Sequence, residues 1–323
     1  MLVDDCYIHH LLSGVYFNEC VGVRVLHSKF FDLIGGGCQA NNGCTDWIMD
    51  GNWGLRCSDD VFVTVYTSTE NTPLVRSARG TISNNVVEET YATGTPIRVT
   101  SSDYINIIDN VIFDCAQTGI AVVGHSNDAP AFNVSIVGNT VAGYGRAYSS
   151  DPAFADPNKT PGTTCGILVA EGNVVTVNNN NVIEGSTTGN GAGIRVDGTS
   201  SNTKIMGNHI SLTTYGIAMN KLNWFSNAFD ISIENNTILN ADSWPIYINP
   251  VSNPLGTGGL VPLRDLVIKD NTLRFSNGGT GCIRVENTAA ANVLIKNNVS
   301  FSCGAVSIGG GATAITTSGN DLF

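Results

Sequence analysis

The sequence is poor in charge. Asp, Glu, Lys and Arg make up 13% of its 323 residues, against the usual quarter of a soluble chain. Only 16 residues are basic against 27 acidic, a formal net charge of −11. A field of that sign repels phosphate backbones, so no nucleic-acid partner is expected. No apolar run approaches the roughly 20 residues needed to cross a bilayer, so no membrane span is expected. The opening MLVDDCYIHH has neither the basic start nor the apolar stretch of a secretory leader. Helical periodicity is absent over any useful length, and two-residue hairpin signals are scarce, which weighs against an antiparallel sandwich. There is no CxxC pair, no zinc-type Cys/His spacing, no Gly-rich phosphate loop, no GxSxG and no HExxH.

What is abundant points to turn-rich β structure. Hydrophobic residues make up 42% of the chain, Gly numbers 36, and Asn is conspicuously frequent. Nine cysteines are an odd number for full disulfide pairing. Most, such as Cys57, Cys115 and Cys282, sit among apolar residues and read as small core hydrophobes. Cys38 and Cys44 enclose a short loop, CQANNGC, that would suit a local disulfide.

One unit, apolar–x–x–Asn–x–apolar, recurs along nearly the whole chain. It appears as ISNNVV at Asn85, IIDNVI at Asn110, IVGNTV at Asn139 and VNNNNV at Asn180. It continues as IMGNHI at Asn208, IENNTI at Asn236, IKDNTL at Asn271 and IKNNVS at Asn298, with weaker copies at Cys6 and Ser28. Successive anchors from Asn85 lie 25, 29, 41, 28, 28, 35 and 27 residues apart, a constant coil with insertions. A second unit, small–apolar–x–apolar, precedes the anchors, as in GLRC at 54–57, PIRV at 96–99, GIRV at 193–196 and PIYI at 245–248. Its second and fourth residues face one way and its third the other. Strand, turn, strand, Asn-turn, strand, turn is one coil of a parallel β-helix. Val and Ile would stack in its core, with Asn at a tight bend, tolerating a left-handed backbone and stacking as a ladder.

These repeats resemble the pectate-lyase-like superfamily of right-handed β-helices, over essentially the whole chain. The resemblance implies an all-β, right-handed parallel β-helix, a single-stranded solenoid of roughly ten to twelve coils, as one domain over residues 1–323. It implies a polysaccharide partner, since the superfamily holds polysaccharide lyases, polygalacturonase-like hydrolases, epimerases and phage tailspike depolymerases. No capping helix is visible at either end, so the chain is expected to be part of a longer polypeptide or to have its ends covered by oligomerisation. The tailspike branch implies a homotrimer and an extracellular or virion-surface location.

The third residue of each small–apolar–x–apolar unit forms one exposed row: Arg56, Arg98, Ala121, Leu168, Arg195, Ala218, Tyr247 and Arg284. Arginine forks suit carboxylates and sugar hydroxyls. The alternative is that they pair with acidic neighbours such as Asp197 and Glu286. Residues 36–53, 142–164, 220–229 and 249–264 read as loops flanking the row, with Trp47, Trp53, Tyr144 and Trp224 as rings for pyranose faces. The densest acidic cluster holds Asp46, Asp50, Asp59 and Asp60. Asp59-Asp60 resembles the paired aspartates of polygalacturonase-like hydrolases, and Asp46 in NGCTD their Asn-Thr-Asp segment. Their Gly-His-Gly has no counterpart, and their Arg-x-Lys is echoed only by Arg98. SDDVFV also matches SSDYINI at Ser101–Ile107, a plain turn before a strand.

The leading expectation is a glycoside hydrolase cutting within a polysaccharide, with Asp46, Asp59 and Asp60 as acid and base. Arg56, Arg98, Arg195, Tyr247, Arg284, Trp47, Trp53 and Trp224 would then bind the sugar. Elimination or epimerisation of a uronate polymer, or a non-catalytic adhesion segment, are the alternatives. No cofactor is expected; calcium is the ion that the four aspartates would suit.

Overall fold

The computed structural model describes residues 1–65, 75–91, 94–124, 130–145, 164–185, 191–198, 200–219, 228–249, 263–275, 281–286, 290–303, 306–309 and 315–322. Among these there is no helix, and every paired strand is parallel to its partner one coil away. The chain winds through three faces. The first is a twelve-stranded sheet from Leu2–Asp4 to Ile315–Ser318, so the solenoid has twelve coils. The second begins after each ladder residue, with strands such as Tyr7–His9, Trp53–Leu55 and Val111–Phe113. The third carries Cys38–Asn41, Phe62–Val65, Ile97–Thr100, Ile120–Val123, Cys165–Ala170, Ala192–Asp197 and Ile283–Val285. In two coils the second and third faces are a single strand, His209–Met219 and Thr237–Ile248.

Strict register puts like over like. On the first face Met49, Ile82, Ile107, Ile136, Val177, Ile205, Ile233, Ile268 and Ile295 stack in one inward row, all buried. Larger rings need a gap one coil away. Trp47, 1% exposed, fills the space over Gly80, where a Cβ would lie 2.0 Å from the ring. Tyr144 does the same under Gly185, where a Cβ would meet the phenol oxygen at 2.2 Å. Both rings, expected on loops, are core.

The asparagines form an unbroken ladder, which also takes in Asn52 and Asn320 and is buried at every rung but Asn320. The Asn139 carbonyl accepts the Asn110 backbone N–H and its side-chain N–H, both at 2.9 Å. The Asn139 amide donates in turn to Ile107 O at 3.0 Å and to Asn180 Oδ1 at 2.9 Å. The left-handed bend does not fall on the ladder residue. It falls one position earlier, on Asp5, His27, Gly51, Asn84, Asp109, Gly138, Asn179, Gly207, Asn235, Asp270, Asn297 and Gly319, with φ between 46° and 71°. The corner is turned by a glycine or a polar residue, Asp or Asn in all cases but His27, which leaves the next side chain pointing inward.

Three other expectations are corrected. Residues 36–53 contain the strands Cys38–Asn41 and Ile48–Asp50 and reach the start of Trp53–Leu55, so they are part of the regular coils and not an inserted loop. GLRC at 54–57 belongs to the second face, because Trp53–Leu55 pairs with Val86–Glu88. Arg56 then turns the next corner with φ 51° and leaves the predicted row, where the buried Val63 takes its place beside Arg98. Cys38 and Cys44 are buried free thiols, and the disulfide is Cys282–Cys303, joining successive coils.

Removing one ladder amide strands the donors and acceptors of three coils. Asn139→Ala should therefore cost about 3 kcal/mol, read as a lowered urea midpoint. Asn297→Gly, one residue off the ladder and exposed, should stay within about 0.5 kcal/mol of the parent.

Candidate functional site

The third face sets an outward-facing row along the solenoid axis: Gln39, Val63, Arg98, Ala121, Leu168, Arg195, Ala218, Tyr247 and Arg284, one from each successive coil, of which Val63, Ala121, Arg195 and Ala218 are buried. Parallel pairing spaces them by about 4.8 Å. Polar chemistry gathers at two places along this row.

The first is Asp60 with Arg98. Asp60 leads into the Phe62–Val65 strand and is 6% exposed. Its carboxylate accepts the Thr95 backbone N–H at 2.9 Å and Arg98 Nη1 at 3.3 Å. Burial pushes the Asp60 carboxyl above the ordinary aspartate range; the Arg98 charge pulls the other way, and the neighbouring Asp59 adds to the rise. Asp59 itself is exposed. Arg98 also donates from Nε to Thr100 Oγ1 at 3.2 Å, so its guanidinium lies flat along the strand.

The second is an aromatic and ionic cluster. Tyr215 and Tyr247 stack across one coil with centroids 5.0 Å apart and planes 14° apart. Tyr247 donates its hydroxyl to Glu286 Oε2 at 2.9 Å and accepts from Asn249 Nδ2 at 2.8 Å. Arg284 pairs with Glu286 and lies 4.9 Å over the Trp244 ring. Between the two places the face is apolar: Cys165, Ala192 and Ala218 form a buried cluster with Leu168 and Tyr215 against it. Arg195 is 1% exposed, so its charge is withdrawn from the surface.

Sequence reasoning missed Tyr215, Trp244 and Asn249, whereas Glu286 pairs with a row arginine as the alternative reading had it. The signal was present: in TTYGIAM and DSWPIYI an aromatic residue stands just before the small residue of consecutive repeats. Register places Tyr215 beside Trp244.

Other expected site residues lie elsewhere. Asp46 sits at the entry to a first-face strand, with both oxygens held by Arg79 Nε at 2.7 Å and Nη2 at 2.9 Å. That contact holds its carboxyl below the usual range, on the far side of a whole face from Asp60. Asp50 accepts from Ser83 and Asn84 on the first face, so the four aspartates do not converge as a calcium cage would require. Arg56 is bidentate to Asp32, at 2.6 and 3.0 Å. Trp53 faces outward on the second face, edge-on to Phe31 at 5.0 Å and under Lys29. Trp224 lies outside the described residues. The first face carries an open groove of about 740 Å³ lined by Val174, Asn202, Lys204, Asp230, Ser232, Asp265 and Asn292, with no aromatic ring in its wall.

Residues 1–141 and 63–210 match the family model described as "Right handed beta helix region", and the chain belongs to that family. No curated protein matches it in sequence. Among solved structures it is similar to a mutant of the tailspike protein of E. coli bacteriophage HK620 in complex with a pentasaccharide. There the identity is 12% and the TM-score 0.66, over 96% of this chain and 55% of that one. It is similar to PfbA, a surface adhesin of Streptococcus pneumoniae, at 12% identity and TM-score 0.60, over 97% and 83%. It is also similar to the periplasmic alginate epimerase AlgG, in a mutant form, at 9% identity and TM-score 0.55, over 100% and 76%. The chain spans about half the length of the tailspike. At these identities the likeness establishes the fold, a right-handed parallel β-helix.

Because the Asp60 pKa is raised on folding, the native state loses stability as pH climbs from the unfolded value through the folded one. Asp60→Asn should therefore raise the urea midpoint at pH 7 relative to the parent, with the gain vanishing near pH 3. Denaturation curves of both proteins at the two pH values measure it.

Proposed function

We propose that the chain binds a polysaccharide along its third face and hydrolyses it there, with Asp60 as proton donor and the exposed Asp59 beside it as the group that activates water. The observation that carries this reading is the contrast between two adjacent carboxyl groups at the edge of one row, Asp60 buried and Asp59 in water. Glycosidic cleavage requires one carboxylic acid kept protonated and one carboxylate kept charged, and different surroundings achieve that division. Arg98 holds Asp60 in place from the strand beside it.

The aromatic and ionic cluster five coils further along serves as the anchoring subsite. Tyr247, Asn249, Glu286 and Arg284 supply donors and acceptors for hydroxyls, with Tyr215 and Trp244 as apolar ground. A glycan lying along the axis reaches both places, which suits cutting within a chain. An extracellular or virion-surface location fits the Cys282–Cys303 disulfide, since such bonds persist in oxidising compartments. The structural likeness to a tailspike, a surface adhesin and a periplasmic enzyme supports the same address.

One observation favours a second, non-catalytic reading: both row arginines available to solvent are already closed on carboxylates of their own face, a static arrangement that suits adhesion. Reducing-end release from a panel of polysaccharides decides between the two. Hydrolysis predicts new reducing ends, falling at least about 100-fold in Asp60→Asn with binding retained. Binding without any release would leave adhesion standing. An unsaturated product absorbing in the ultraviolet would replace hydrolysis by elimination.

A further inference from the structure

We infer that the glycan taken by the third face is uncharged, a neutral hexose polymer and not a polyuronate. The inference rests on the reading of that face as a polysaccharide site, and adds to it the class of sugar.

Three observations converge on it. The row has three arginines among the described residues, and each is already partnered or buried. Arg98 is committed to Asp60 and Thr100, Arg284 to Glu286 and the Trp244 face, and Arg195 is buried at 1% exposure. A polyuronate presents one carboxylate per residue, and each would need a cation, whereas among the described residues of this face every arginine is already partnered or buried. Secondly, Asp59 and Glu286 stand at the two polar places, inside a chain of net charge −11. Bringing further negative charge along this row works against both the local and the overall field. Thirdly, the cluster at Tyr247 presents donors and acceptors side by side: the Asn249 amide, the Arg284 guanidinium and the Glu286 carboxylate. Vicinal hydroxyls donate and accept at once, so they match such a mixed edge, and a carboxylate, which only accepts, does not.

The test is binding of the full chain to a panel of immobilised neutral polysaccharides (dextran, galactomannan, xyloglucan) and polyuronates (alginate, polygalacturonate), each at low and high salt. Retention on at least one neutral polymer, changing less than about twofold between the salt conditions, is the expected result. Glu286→Gln should weaken that retention, because it replaces a charged acceptor by a neutral one. Retention on a polyuronate alone, lost by about tenfold or more at high salt and strengthened by Glu286→Gln, would overturn the uncharged class while leaving the polysaccharide reading intact. Retention on none of the panel would sink both together.

Discussion

The structure depends on one hydrogen bond pattern repeated up the corner between the first and second faces. A backbone N–H needs an acceptor wherever it is buried, and at a sharp bend the neighbouring strand cannot supply one. Each ladder asparagine solves this for the coil before it, accepting that coil's backbone N–H and side-chain N–H on a single oxygen. Its own amide reaches inward to a first-face carbonyl one coil back, as Asn85 does to Met49 and Asn180 to Ile136. One buried side chain thus fixes the register of three coils. The apolar rows follow from that register, since a slip of one residue would turn every Val and Ile outward.

This explains why the fold was legible in the sequence and the site much less so. The ladder is local: strand, left-handed residue, Asn, strand, always in the same four-part order, so eight copies could be read directly. Even there the bend was assigned one residue late, because Asn tolerates left-handed backbone as readily as the Asp, Asn or Gly that precedes it. The third-face strands also follow a short local pattern. Pattern alone, however, did not distinguish GLRC at 54–57 from a true third-face unit, since a second-face strand followed by inward Cys57 satisfies the same rule.

What was not legible depends on pairs brought together by coil register. Trp47 looks like a loop aromatic until Gly80, on the next coil, is placed over its ring. Asp46 looks like a partner of Asp59 and Asp60 until the first face claims it with Arg79. Arg284 reads either as a sugar ligand or as a partner of Glu286 until Trp244, one coil back, closes on it together with that carboxylate. In each case the deciding neighbour either belongs to another coil or lies one bend away. Insertions of unequal length hide such neighbours from any fixed spacing.

The same insertions say which face is open to specialisation. Ladder-to-ladder separations run from 22 to 41 residues, yet the ladder corner never changes length, because its hydrogen bonds allow no extra residue. All the variation is therefore forced into the two remaining connections, those that enter and leave the third face. Residues 146–163 fall in the first kind, between Thr140–Ala142 and Cys165–Ala170, and residues 250–262 in the second, between Thr237–Ile248 and Leu263–Lys269. The first and second faces share a corner that cannot vary. The third face alone is bordered on both sides by sequence free to differ from coil to coil. Asp60, Asn249 and Glu286 all lie where that face meets its variable borders. The ladder that makes the solenoid regular is thus also what concentrates its chemical individuality on a single face.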